Sequence, residues 1–243
     1  METLEHEHII HYTSDDHLVW AELYEINNQN MMKYACKDYI KGFNDLKIPT
    51  FKIPTFYELN TILSTCSTWT IVPVSGYLAS EDFFKLINRR KFPITQRIRS
   101  KNEIEFSELP DIFHDIMGHV PMLNSDVHNL FSKTISDIAL QNLDNPIILE
   151  KLSNLYWYTF ETGLVKENGE IKIFGGAILT SSNEVNNVFK EDTTILPFDA
   201  ELIMSSSFDN LNVQSTYFIL ESFDQLSDAC KKLSIIYSNS ATK

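Results

Sequence analysis

Apolar positions recur at helical spacing along most of the chain, and the interruptions fall at proline, glycine and capping residues. From Asp15 to about Phe43, the spacing of Leu18, Val19, Leu23 and Ile26 predicts one long helix. The tandem pentapeptide KIPTFKIPTF, residues 47–56, carries two prolines that forbid a helix through it and predicts an extended surface connection. Thr55 as N-cap with Glu58 three residues later forms a capping box, so a helix starts there ahead of Leu59, Ile62 and Leu63. The β-branched residues of IVPVSGY, Ile71 to Tyr77, predict a short strand. Ser80 is then placed to cap a helix from Glu81 to Arg90 that turns Phe83, Phe84, Leu86 and Ile87 inward.

In the second half, a short helical pattern begins after Pro110 and breaks at Pro121. Ser125 to Gln141 predicts a helix with Val127, Leu130, Phe131, Ile135 and Ile138 on its apolar face and His128 on its surface. Asn145 and Pro146 supply an N-cap and first-turn start for a helix that runs to about Phe160 and ends near Gly163. Asn168-Gly169 between β-like runs predicts a hairpin. Val213 to Leu220 reads as a strand and about Ser222 to Ile236 as a closing helix. These elements predict a mainly α fold: a single domain of packed helices with a few short β-strands or hairpins. Its expected limits are residues 11–238, with a loose N-terminal segment 1–10 and a tail 239–243.

Composition narrows the partners. A chain of 243 residues with 43% hydrophobic content can bury one good-sized core. A net charge of −13 argues against nucleic acid or an anionic membrane, since phosphate binding is driven by clustered Lys and Arg. Small molecules are the expected partners, to a monomer or small homo-oligomer. Cys36, Cys66 and Cys230 are odd in number and widely spaced, without a CxxC or a signal-peptide pattern ahead of them, which suits a reducing cytoplasm. No apolar run reaches the roughly 20 residues a bilayer requires. His6, His8, His11 and His17 crowd the N-terminus and are expected to be adventitious.

The candidate chemistry lies in ELPDIFHDIMGHVPML. His114 and His119 stand five apart, which on an α-helix sets the imidazoles roughly 140° from each other, able to converge on an ion only near a helix end. Glu161, in the apolar and aromatic run NLYWYTFETGL, is a carboxylate where an unpaired charge is costly and a cation would remove the cost. Two imidazoles and a carboxylate on one octahedral face, with the other positions open, suit a non-haem Fe(II) oxygenase. A zinc hydrolase is the alternative, disfavoured because Asp115 rather than Glu follows His114.

Together the segments resemble the pterin-dependent aromatic amino acid hydroxylases, and among them the short bacterial phenylalanine 4-hydroxylases. PDIFHDIMGHVPML resembles the family's iron-binding signature, LYWYTFETGL the segment with the ligand Glu, and IKIFGGAILTSSNE the segment after it. HYTSDDHLVWAELY, IPTFYELN, IVPVSGYLASEDFF and YFILESFDQL are similar in the same order, from about residue 11 to residue 230.

The resemblance implies a ring hydroxylase using Fe(II), O₂ and tetrahydrobiopterin or a related tetrahydropterin, with L-phenylalanine to L-tyrosine favoured and tryptophan or tyrosine as alternative substrates. It assigns iron to His114, His119 and Glu161. Phe83 would stack on the pterin, flanked by Val74, Gly76 and Leu78, with Asp115, Ser153 and Tyr156 bordering it and Asp115 close to the chemistry. Arg99 would clamp the substrate's α-carboxylate; Ser107, Pro110, Trp157 and Thr180 would complete the substrate's surroundings. Gln96 and Arg97 replace the tryptophans that bacterial members tend to carry before the arginine, and Thr162 replaces an aromatic residue of the animal enzymes, so the pocket wall is expected to differ there. Arg89 and Arg90 read as solvated charge.

Overall fold

The computed structural model describes residues 10–104, 109–210 and 212–238, with Ser238 described by its backbone alone. Where a single long first helix was expected, there are two, α1 (Ser14–Tyr34) and α2 (Lys37–Leu46). The break is tertiary: Ala35 is extended, the Cys36 amide donates to the carbonyl of Ile173 at 2.9 Å, and the Cys36 thiol accepts from the Tyr39 amide to start α2. The buried stripe of α1 is Val19, Trp20, Leu23, Asn27 and Met31, while Leu18 and Ile26 of the expected stripe are exposed. The pentapeptide repeat is non-helical as expected, yet only partly a surface feature, because Ile48 and Ile53 are buried while Phe51 is exposed.

The capping box at Thr55 and Glu58 opens α3 (Phe56–Leu63). Strand β1 (Thr70–Val74) pairs in parallel with β2 (Lys91–Thr95) across the intervening α4 (Ser80–Asn88). Ser80 does not cap α4: Ala79 holds the N-cap position, and the Ser80 hydroxyl instead meets that of Ser153 at 3.1 Å. Helix α5 (Asp126–Leu140) and α6 (Pro146–Tyr156), the latter capped by Asn145, pack against α4. His128 is buried, not on the surface, and Leu130 of the expected apolar face is exposed.

Strands β3 (Leu164–Glu167) and β4 (Glu170–Ile173) form the hairpin, with Asn168 and Gly169 both at positive φ, 54° and 82°, as a type I′ turn demands. Short helices α7 (Gly176–Leu179) and α8 (Ser182–Val188) follow, then β5 (Thr194–Pro197), α9 (Ala200–Met204), β6 (Thr216–Leu220) and α10 (Asp224–Ser238). The larger sheet runs β4-β3-β6-β5, antiparallel at the hairpin and parallel elsewhere. The fold is mainly α. One apolar cluster extends from Val19 to Leu233, with the helix and strand ends that surround the site at its centre.

Candidate active site

The stretch carrying His114 is not an α-helix. His114–His119 is π-helical and passes into a 3₁₀ turn, Val120–Asn124. A π-helix closes its turns with i→i+5 bonds, so residues five apart overlie one another instead of splaying as they would on an α-helix. The spacing of the two histidines is therefore matched to this geometry: their Nε2 atoms are 3.3 Å apart and the rings meet edge to face at 5.0 Å. The third group arrives by the same device. After Tyr156, α6 widens into a second π-helical turn, Trp157–Glu161, closed by the Thr162 amide on the Trp157 carbonyl at 2.8 Å. It swings Glu161 inward, where Oε2 lies 3.2 Å from His119 Nε2 and 3.5 Å from His114 Nε2.

These three atoms form a triangle that an ion fits. With bonds of about 2.1 Å, neighbouring ligand atoms lie ~3.0 Å apart on an octahedral face and ~3.4 Å apart on a tetrahedral one. The observed edges, 3.2, 3.3 and 3.5 Å, lie around the upper of these values and within a few tenths of an ångström of the lower, and this is the one cluster of potential metal-binding groups found among the described residues. Burial would raise the Glu161 pKa, but His119 and His114 hold it far below the usual carboxylate range. Burial would lower that of His114, but Glu161 raises it. A divalent cation would take over the role that protons on the imidazoles would otherwise play.

Thr180 fixes the proton on His114. Its hydroxyl donates to the Gly176 carbonyl at 2.8 Å and so presents a lone pair to His114 Nδ1 at 3.0 Å. The Nδ1–H tautomer follows, leaving Nε2 bare toward Glu161. Helix α7 comes this close because Gly118 and Gly176 cross without side chains: a Cβ on Gly176 would lie 2.8 Å from the His119 ring and 2.9 Å from the Gly118 carbonyl.

Arg99 is buried, and its Nε and Nη2 grip Asp111 Oδ2 and Oδ1 at 2.8 and 2.9 Å. Asp111 also accepts from the His114 amide at 3.0 Å, which ties the arginine to the start of the π segment. Burial alone would raise the Asp111 pKa, but Arg99 and the amides hold it below the ordinary value. Asp115 accepts from the Thr95 amide and hydroxyl at 2.6 and 2.8 Å, and burial raises its pKa despite these bonds and the neighbouring histidines.

Every described residue expected at the site lines one cavity of about 290 Å³: Val74, Gly76, Leu78, Phe83, Ser153 and Tyr156, with Asp115, Arg99, Pro110, Trp157 and Thr180, around His114, His119 and Glu161. Phe83 meets Tyr156 edge to face at 5.1 Å. Ser107 lies outside the described residues. Of the residues expected to alter the wall, Thr162 lines the cavity, whereas Gln96 and Arg97 do not: buried Gln96 accepts from the Ile10 amide, and partly exposed Arg97 pairs with Glu103. Sequence reasoning missed Asp111, Thr95, Phe208, Glu184 and Gln214. Asp111 carried a signal, an acid just ahead of a helical pattern. The others stand in segments with no periodic signature.

The profile of a family described as "Biopterin-dependent aromatic amino acid hydroxylase" matches residues 5–240. Phenylalanine-4-hydroxylase of Chromobacterium violaceum is 31% identical over 223 residues, covering 90% of this chain and 73% of that one. Tyrosine 3-monooxygenase of Canis lupus familiaris is 32% identical over 223 residues, 90% of this chain and 45% of that one. A crystal structure of the Chromobacterium violaceum enzyme with bound iron(III) and 7,8-dihydrobiopterin superposes with a TM-score of 0.86 at 30% identity, over 94% of this chain and 84% of that one.

Proposed function

Because the chain belongs to the biopterin-dependent aromatic amino acid hydroxylases, we propose that it converts L-phenylalanine to L-tyrosine, with iron held by His114, His119 and Glu161. The observation that carries the reading is the triangle of ligand atoms, 3.2–3.5 Å on a side, set in the same cavity as a buried arginine and an aromatic shelf. Iron and a tetrahydropterin supply the activation of O₂ that no side chain can. The chain's own residues bind, orient and exclude water.

Arg99 spends two N–H groups on Asp111, and the end of its fork keeps a parallel pair for the substrate carboxylate. Asp111 thus aims the arginine and the His114 amide together. Trp157 and Pro110 wall the ring of the amino acid, and Thr180 borders the substrate while its hydroxyl orients His114. Phe83 offers a face to the pterin beside Val74, Gly76 and Leu78, with Tyr156 and Ser153 behind it. Asp115, buried and held by Thr95, is poised to accept a hydrogen bond from the pterin.

Iron analysis together with product identification from phenylalanine, tyrosine and tryptophan, assayed side by side, tests the reading. The expected result is about one iron per chain and tyrosine as the dominant product, with tetrahydropterin oxidation coupled to it. Faster turnover of tyrosine or tryptophan would reassign the substrate, and zinc as the sole metal of active protein would overturn the reaction.

A further inference from the structure

A buried glutamine connects the wall of the cavity to the segment that precedes β6. The Gln214 side-chain oxygen accepts from the Trp157 indole N–H at 3.1 Å, and its amide nitrogen donates to the carbonyls of Asp209 at 2.5 Å and Asn212 at 3.2 Å. Its backbone is equally tied: the N–H donates to Glu184 Oε1 at 3.0 Å and the carbonyl accepts from Asn187 Nδ2 at 2.8 Å. Glu184, half-buried, in turn accepts from the Tyr217 hydroxyl, so the far end of the strut is anchored on α8 and β6.

The amide orientation is forced. An indole nitrogen can only donate and a carbonyl can only accept, so the oxygen must face Trp157 and the nitrogen must face the loop. On its other side the indole is stacked on Phe208, with ring centroids 4.4 Å apart and planes within 9°. Phe208 belongs to the same segment that Gln214 gathers. Trp157 also opens the π-helical turn that ends at Glu161.

We infer that Gln214 is a positioning residue for the aromatic ring of the substrate: it fixes the rotamer of Trp157 and couples that wall to the Phe208 segment. The inference rests on the hydroxylase reading above. It adds a specificity element that touches neither metal nor pterin. A one-atom change exposes it. In Gln214→Glu the carboxylate still accepts from Trp157 but turns an oxygen toward two carbonyls, and the strut must break on its loop side.

The test is a kinetic and calorimetric comparison of iron-loaded wild type, Q214L, Q214E, W157F and the double variant Q214L/W157F. Q214L is expected to raise the apparent KM and the calorimetric Kd for phenylalanine about tenfold and to lower the yield of product per pterin oxidised. Iron per chain and the KM for the pterin should stay within about twofold of wild type. W157F keeps a ring on Phe208 but removes the N–H, so it should raise KM comparably, and Q214L should add less than about twofold to it. A KM unchanged in Q214L, or effects that multiply in the double variant, overturns the inference. Should Q214L not fold, Q214E is read in its place; should neither fold, W157F alone decides, because an unchanged KM there removes the role of the indole bond. Absence of hydroxylated product in wild type would instead sink the hydroxylase reading, with the calorimetric comparison still deciding the strut.

Discussion

His114, half-buried, and His119, buried, stand among polar partners, whereas His128, a few residues further on, is buried chiefly among aromatic rings, with only the Ser132 hydroxyl near its Nδ1 at 3.5 Å. The first two face each other, a carboxylate and the Thr180 hydroxyl within 3.0–3.5 Å. His128 lies edge-on to Phe160 at 4.4 Å and Trp69 at 5.5 Å, and its Nε2 has no partner among the described residues. Burial, aided by the charge of His119, lowers its pKa to about 3. Burial by itself therefore makes an imidazole inert. What makes it a ligand is convergence, and here convergence comes from the two π-helical turns.

The widest effect expected of breaking this contrast comes from truncating a converging group. Alanine at His114, His119 or Glu161 should abolish iron retention and turnover while leaving the helical circular dichroism intact; wild-type turnover in any one would remove that residue from the metal site. Next, Thr180→Val takes away the acceptor that sets the His114 tautomer. Iron affinity, measured by chelator competition, should fall by about 10–100-fold. Arg99→Lys keeps the charge but loses the fork, and is expected to raise the apparent KM for the amino acid by roughly tenfold without releasing iron. Loss of iron from that variant would show that the Arg99–Asp111 pair serves the π segment more than the substrate.

The smallest effect on activity belongs to the inert imidazole. His128→Phe should leave iron content and kcat unchanged but alter the acid limb of stability. The folded pKa of His128, about 3, lies below that of the unfolded chain, ordinarily 6.5, so between those values the unfolded state holds the extra proton. Its contribution to stability is complete above the ordinary value and is lost as pH falls toward 3, at up to roughly 1.4 kcal/mol per pH unit. Urea titrations from pH 4 to 7 should show a shallower slope for the Phe variant; identical slopes would mean that His128 is hydrated and titrates normally.

The contrast also shows which parts of the molecule could be read in the sequence. Signals that act over a few residues were plain: the Thr55–Glu58 capping box, the Asn145 cap and the Asn168-Gly169 turn stand as expected. The three converging residues were legible because imidazole and carboxylate are chemically conspicuous in apolar segments. Their angle was not, since a period of 3.6 was assumed where the chain takes a wider turn. The kink at Ala35 and Cys36 is dictated by Ile173, far away in sequence, and β2 and β5 owe their strand character to partners and not to their own patterns. His128 defeated the reading for the same reason: a polar residue on a helix was assigned to water, and only the aromatic rings brought by Trp69 and Phe160 reverse that.

The crossing of Gly118 and Gly176 carries a lesson for anyone who wishes to retune the metal preference. Two main chains touch there with no room for one more carbon, so the floor of the site behaves as a welded joint. Ligand exchange at the three corners is open to a designer; widening the ring between them is not, because every larger letter at either glycine pushes the His119 imidazole or the facing glycine's backbone out of place. Saturation libraries over this motif would be expected to return a single amino acid at both joints, while the corners tolerate whatever still binds an ion.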